Sequence, residues 1–198
     1  MRYFLDQIKN KFFSIEWYEI YEFIEFIINR FHLDEKFILS LNKIFEEERA
    51  PYRVIKNLVT PLTDKTEIKE IEHALEISDT YHPARNHIHK ALEYYSKRPQ
   101  ADYPNSIRES IHSLEALARI VCNNPKATLG KLADKLSIHP VFRTALNKLY
   151  GWTSNEKGIR HSETGGEISY KRAGEAEARF MLVICSAFVN YIIAKYSK

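Results

Sequence analysis

The chain has few of the residues that interrupt helices. Its 198 residues include 6 glycines and 7 prolines, whereas 44% of the residues are hydrophobic and 13% are aromatic. A turn-rich β fold uses more glycine and proline than this, and a disordered chain has fewer apolar residues. The composition therefore excludes intrinsic disorder and favours a packed, mostly helical protein.

Cysteine is scarce too. Cys122 and Cys185 are the two cysteines, both lie in apolar runs with helical spacing, and they do not form a metal-binding pattern. This excludes a disulfide framework and predicts a reducing, cytoplasmic environment. We expect no apolar run of the about 20 residues needed to span a bilayer, and the N-terminus carries charges every few residues. We therefore expect no membrane association and no secretion signal.

Signatures of the common enzyme classes are absent. The sequence has no Walker loop, no dinucleotide glycine fingerprint, no HExxH motif and no nucleophile elbow. We accordingly expect no cofactor. The formal charge is +3, with 9 basic and 10 acidic side chains in residues 1–60 and 20 basic against 16 acidic side chains in residues 61–198. A nucleic-acid-binding face is therefore expected in the C-terminal part.

The first 60 residues are predicted to form a helical hairpin. Apolar residues recur at helical spacing over residues 14–29 and 34–48, with Ser14 and Asp34 as expected N-caps. The segment after them is β-branched, and Asn57 within it favours a turn, so we expect at most one short β-hairpin there. A domain boundary is expected near Pro61, dividing the chain into 1–60 and 61–198.

The remainder is predicted to be a helical bundle. Helical periodicity covers residues 63–78, 83–97, 105–122, 128–136, 140–150 and 173–196. We expect Asn105 to cap the third of these helices. The longest polar stretch, residues 151–172, is predicted to be a loop between helices, which is a common place for functional residues. The expected fold class is all-α.

The first candidate site lies in this loop. Polar and aromatic side chains are concentrated there, namely Tyr150, Trp152, Ser154, Asn155, Lys157, Arg160 and His161. An imidazole such as His161 can take the proton from a ribose 2′-hydroxyl or give one to the leaving oxygen, while Arg160 can hold the charge on phosphorus. The alternative is a capping loop whose His and Arg side chains bind backbone carbonyls.

The second candidate is the helix that begins near Asn105. Four of its polar residues share one stripe opposite the apolar face, namely Arg108, His112, Glu115 and Arg119. Such a stripe is usually a solvated face with ion pairs, although it can also form a polar wall facing the candidate segment 150–163. Glu109 lies on a different side from Arg108 and is a candidate for orienting Arg160 or His161.

The third cluster contains His82, His87 and His89. No two of these are separated by four residues, and no nearby acid in the sequence completes a set of metal ligands. We therefore expect no metal site, and interpret the segment as the exposed start of a helix.

The sequence resembles the HEPN superfamily, and most closely its members associated with AbiJ-type abortive-infection proteins. The resemblance covers roughly Phe45 to Tyr191 and is carried by the segments YRVIKNLVTPLT, IEHAL, YPNSIRESIHSLEAL, HPVFRTALNKLYGWTSNEKGIRHSE and AEARFMLVICSAFVNYI. It implies an up-and-down helical bundle that commonly pairs into a homodimer. It also implies a metal-independent endoribonuclease of an abortive-infection or toxin–antitoxin system, with RNA such as tRNA as substrate and an antitoxin or another defence protein as partner.

The resemblance also suggests roles for individual residues. The superfamily's motif is an Arg, a polar residue and then a His, with about four to six residues between the Arg and the His. With His161 as this His, Asn155 takes the polar position, and Ser154 stands where the Arg is expected. In a nuclease, the catalytic residues would then be His161, Arg160, Asn155 and Glu109.

Two other interpretations of the sequence remain open. Because Ser154 cannot replace a guanidinium, the chain can be a non-catalytic HEPN module that binds RNA, a nucleotide or a protein. RNA would then contact Arg108, His112, Lys157, Lys171, Trp152 and Ser154. Alternatively, the chain is a structural or sensor protein whose N-terminal hairpin docks a larger effector.

Overall fold

The computed structural model describes residues 2–135, 139–155 and 173–196 of the chain. Over these residues it contains nine α-helices, one 3₁₀ turn and two short strands. In chain order they are α1 (Arg2–Phe12), α2 (Trp17–Arg30), α3 (Glu35–Glu47), β1 (Arg53–Ile55), β2 (Leu58–Thr60), α4 (Lys65–Leu75), the 3₁₀ turn (Asp79–Tyr81), α5 (His82–Ser96), α6 (Tyr103–Val121), α7 (Leu129–Lys135), α8 (Pro140–Asn155) and α9 (Glu175–Tyr196). The predicted all-α class with at most one short β-hairpin is confirmed.

The chain forms two compact units. The first comprises residues 1–63 together with the short segment 98–100, and the second comprises residues 64–97 and 101–198. The first unit is therefore assembled from two separate stretches of the sequence. Each unit has its own core.

The core of the first unit lies between its helices and its β-hairpin. Ile28 of α2, Phe45 of α3, and Val54 and Val59 of the two strands are buried together. The strands pair antiparallel with Val54 opposite Val59. Lys56 and Asn57 join them with φ angles of 44° and 70°, the left-handed conformation that a two-residue hairpin turn requires. The turn predicted at Asn57 is confirmed.

The helix starts of the first unit agree only in part with the sequence. Asp34 caps α3 as predicted, since its carboxylate accepts a hydrogen bond from the Phe37 amide at 3.0 Å. Ser14 does not cap α2. Its hydroxyl donates to the Lys11 carbonyl at the end of α1, and α2 begins after Glu16, whose backbone N–H donates to the Glu19 carboxylate. Helix α1 itself was not predicted, because its charged residues obscure the apolar spacing.

A buried ion pair connects the two stretches of the first unit. A guanidinium nitrogen of Arg98 lies 2.7 Å from the Glu25 carboxylate, and the exposed fractions of the two side chains are 6% and 18%. Both partners also bind the backbone of Val59. The Arg98 guanidinium donates a hydrogen bond to the Val59 carbonyl at 2.6 Å. The Val59 backbone N–H donates to the Glu25 carboxylate at 2.6 Å. This arrangement joins α2, β2 and segment 98–100.

The second unit is a helical bundle around α6. The buried face of α6 carries large apolar residues at helical spacing, namely Ile107, Ile111, Leu114, Leu117 and Val121. Helices α5 and α9 pack against α6, and α4 packs against α9. In the last of these pairs, the Asn190 side-chain amide donates to the Glu70 backbone carbonyl at 3.0 Å. Periodicity therefore identified the central helix and its buried face.

Two boundaries in this unit differ from the prediction. Helix α6 starts at Tyr103, two residues before the predicted Asn105, because Asp102 is the cap and accepts a hydrogen bond from the Asn105 amide. Helix α8 runs to Asn155 rather than to Tyr150. Gly151 does not end the helix, since its φ does not lie in the left-handed region, and the first residues of the predicted loop are therefore helical.

Helix α9 differs from the expectation that no apolar segment reaches the length needed to span a bilayer. Its 22 residues are long and apolar enough to cross a membrane by length and composition, and it is the one such helix in the described part of the chain. The core helix of a soluble protein passes the same test. Helix α9 packs against α4, α5 and α6, and its buried residues include Leu182, Cys185 and Val189.

Replacing Arg98 by Ala is expected to destabilise the first unit by about 3 kcal/mol, because it leaves the Glu25 carboxylate buried without its cation. Trp17 lies in this unit and the chain has 2 tryptophans, so in a Trp152→Phe background its fluorescence follows the first unit during urea unfolding. Lys43→Ala is the control, since the exposed fractions of Lys43 and its partner Glu47 are 77% and 61%. Equal midpoints for the two variants would contradict the role of Arg98.

The two cysteines are expected to differ in reactivity. Burial raises the pKa of the Cys185 thiol because a thiolate is poorly solvated in the core, whereas Cys122 is half-buried at the end of α6. A thiol reagent such as DTNB should therefore modify one thiol per native chain and the second only after unfolding. Cys122→Ser should abolish the fast reaction. Rapid modification of both thiols in the native protein would show that the bundle around α9 is not closed.

Candidate functional site

Three ionisable side chains meet on neighbouring faces of α5 and α6. Nδ1 of His87 lies 2.7 Å from one carboxylate oxygen of Glu109, and Nδ1 of His112 lies 3.6 Å from the other. The centroids of the two imidazole rings are 5.4 Å apart. Glu109 thus lies between two histidines, and we refer to His87, Glu109 and His112 as the His–Glu–His cluster.

The cluster is formed by the close packing of α5 on α6. Two small residues meet at the contact, Ala91 on α5 and Ser106 on α6, and both are buried. The Ser106 hydroxyl donates to the Ala91 carbonyl at 2.8 Å. Small side chains at a helix contact shorten the distance between the helix axes. Residues of α5 and α6 that border the contact can therefore reach each other.

The position of each member follows from helical geometry. His87 precedes Ile88, which is fully buried, and Glu109 and His112 flank Ser110 and Ile111, which are also buried. Glu109 and His112 are three residues apart, so they project from the same side of α6. The cluster is accordingly at the edge of the core, with side-chain exposed fractions of 29% for His87, 16% for Glu109 and 33% for His112.

Its exposure gives the cluster access to solvent and to ligands. The Glu109 carboxylate, the least exposed of the three groups, is positioned to accept a hydrogen bond from an imidazole N–H. When the Nδ1 proton of a neutral histidine is used in this way, Nε2 is the proton-accepting nitrogen. A carboxylate that fixes the tautomer and orientation of a histidine is a recurrent arrangement in proton-transfer sites.

The sequence-predicted site residues are only partly brought together. Glu109 and His112 are neighbours, but the prediction had given them separate roles. Arg108 donates to the Asn105 side chain at 2.8 Å, and Trp152 is half-buried in α8. Ser154 and Asn155 form the last turn of α8. Lys157, Arg160, His161 and Lys171 lie outside the described residues.

The structure corrects the expected surroundings of His87. No acid near it in sequence completes a set of metal ligands, but Glu109 supplies a carboxylate from 22 residues away. His82 is exposed at the start of α5 as predicted. His89 faces a different neighbour, Glu93, at 3.4 Å. The cluster was missed because it depends on the pairing of two helices, although the spacing of Glu109 and His112 on α6 was a visible signal.

Comparison with known proteins gives one match. Residues 1–76 match the family model described as AbiJ N-terminal domain 4. No curated protein and no solved structure matches the chain. The match confirms the predicted association with AbiJ-type abortive-infection proteins. It covers the continuous part of the first unit and α4 but not segment 98–100, whereas the resemblance found in the sequence began near Phe45 and relied mainly on the C-terminal half.

The hydrogen bond of Glu109 is expected to fix the tautomer of His87. In the neutral ring of the wild-type protein, Nδ1 should carry the proton, because the carboxylate at 2.7 Å accepts it. Glu109→Leu should remove this preference, which two-dimensional ¹H–¹⁵N spectra of the histidine rings report. Glu93→Leu is the matched control on α5. An unchanged His87 tautomer in the Glu109 variant would show that the carboxylate does not bind this ring.

Proposed function

We propose that this chain is a metal-independent endoribonuclease of an abortive-infection system, and that the His–Glu–His cluster performs proton transfer. The observation that carries the proposal is the placement of two imidazoles 5.4 Å apart on either side of one carboxylate. The association of residues 1–76 with AbiJ-type proteins supports the biological setting. Membership in the HEPN superfamily, whose bundle and nuclease activity the sequence resembles, is part of the proposal.

The chemistry needs one base and one acid. One histidine takes the proton from the ribose 2′-hydroxyl as its oxygen attacks phosphorus, and the other gives a proton to the 5′-oxygen as the P–O bond breaks. The products are a 2′,3′-cyclic phosphate and a free 5′-hydroxyl. Glu109 orients both rings and stabilises the imidazolium that forms. Proton transfer by these two histidines requires no metal ion.

A cation must also stabilise the charge that develops on phosphorus. Arg108 and Arg119 are on α6, the helix of Glu109 and His112, and Arg160 is the cation that the sequence resemblance suggests. In the proposed mechanism Asn155 at the end of α8 and His161 in the segment after it assist, and Lys157, Lys171, Trp152 and Ser154 bind RNA. We further propose a cytoplasmic homodimer controlled by an antitoxin or another defence protein.

The experiment compares single variants on a 5′-labelled tRNA substrate in excess EDTA. Wild-type protein should cleave it and leave cyclic phosphate ends. His87→Gln and His112→Gln should each lower the rate by about 100-fold, the usual contribution of a general acid or base. His89→Gln is the control, because His89 lies on the same helix and pairs with Glu93 instead.

The contrary outcomes separate the alternatives. Intact RNA with a salt-dependent gel shift would replace the nuclease with an RNA-binding module. Full activity of both cluster variants, with loss of activity in His161→Ala, would move the chemistry to the segment that follows α8. Cleavage that requires an added metal ion would contradict the metal-independent mechanism.

A further inference from the structure

The His–Glu–His cluster has a second chemical capability. Each of its three residues offers one ligand atom, two imidazole nitrogens and one carboxylate oxygen, and all three atoms lie within 4.8 Å of one another. Among the described residues it is the one group of three or more His, Cys, Asp or Glu side chains with this spacing. The cluster is open to solvent on one side, so an ion can enter without a change in the bundle.

We propose that His87, Glu109 and His112 bind one divalent transition-metal ion, with Zn²⁺ as the best-matched ion, and that this ion switches off the proton transfer proposed above. Two histidines and one carboxylate form a recognised ligand set for zinc, with a fourth position left to water. Nitrogen-rich sets of this kind favour Zn²⁺ and its neighbours over Mg²⁺ and Ca²⁺, which prefer oxygen. Metal binding by the cluster is independent of the proposed function, whereas inhibition by the bound metal rests on that function.

The distances fit a single ion. With bonds of about 2.1 Å, the ligand atoms of a tetrahedral zinc ion lie about 3.4 Å apart. The Nδ1–oxygen distances in the cluster are 2.7 Å at His87 and 3.6 Å at His112, so shifts of under about 1 Å bring these pairs to the ideal value. Rotation of partly exposed side chains provides such shifts. The backbones of α5 and α6 can remain where their buried neighbours hold them.

Metal binding and proton transfer exclude each other at these atoms. A neutral histidine that binds the ion through Nδ1 carries its proton on Nε2. Nε2 then cannot accept a proton from the 2′-hydroxyl, and Glu109 no longer orients the ring because its oxygen binds the ion. A loaded cluster is therefore inactive as an acid–base pair. The same three residues provide both the proposed activity and its inhibition.

The first test is isothermal titration of the full-length chain, without a polyhistidine tag and after removal of EDTA, with ZnCl₂. Wild-type protein and His89→Gln should bind one equivalent with the same affinity. His87→Gln, Glu109→Gln and His112→Gln should each weaken this site by at least about 100-fold, since even the loss of an outer-shell partner costs 10–100-fold. Circular dichroism should show unchanged helicity in all variants. Absence of stoichiometric binding, or equal weakening by His89→Gln, would overturn the proposal.

A second measurement tests inhibition. If the wild-type protein cleaves RNA in EDTA, then Zn²⁺ added without chelator should abolish cleavage with a midpoint equal to the Kd from titration. Zinc binding that leaves cleavage unchanged would overturn the switch. Zinc binding by a protein that never cleaves RNA would support the metal site and contradict the nuclease. Cleavage by a protein that does not bind zinc would support the nuclease and contradict the metal site. Failure of one proposal can therefore be distinguished from failure of the other.

Discussion

The close contact between α5 and α6 brings His87 within hydrogen-bonding distance of Glu109. Ala91 on α5 and Ser106 on α6 are both buried, and the hydroxyl of Ser106 donates to the Ala91 carbonyl across the contact. A serine can occupy such a contact because its hydroxyl has a backbone partner; an unpaired buried hydroxyl would cost free energy. Larger residues here would separate the helices, and His87 would then lie too far from Glu109 for a hydrogen bond.

The helices of this protein were largely predictable, because periodicity and capping are local. The apolar spacing of Ile107, Ile111 and Leu114 located α6, and the side chain of Asp34 caps α3 as the sequence indicated. Boundaries were less predictable where two candidate caps compete. Asp102 rather than Asn105 begins α6, since its carboxylate accepts from the amide of Asn105 itself.

The candidate site was less predictable than the helices. The sequence indicated His87, Glu109 and His112 separately, but the contact among them depends on how α5 aligns with α6, and no local pattern specifies that alignment. Chemical reasoning from neighbours in sequence therefore assigned Glu109 to another partner and found no acid for His87. Four of the predicted residues lie outside the described part of the chain, namely Lys157, Arg160, His161 and Lys171. Their roles stay predictions.

The discontinuity of the first unit has a consequence for any shortened form of the protein. The family match ends at residue 76, and the continuous part of the unit ends at residue 63, but the cation that neutralises Glu25 is supplied by Arg98. A chain that stops at either point would keep the carboxylate and lose its guanidinium. The N-terminal unit is thus complete only once α5 has been synthesised, which links its maturation to the bundle that follows it in the sequence.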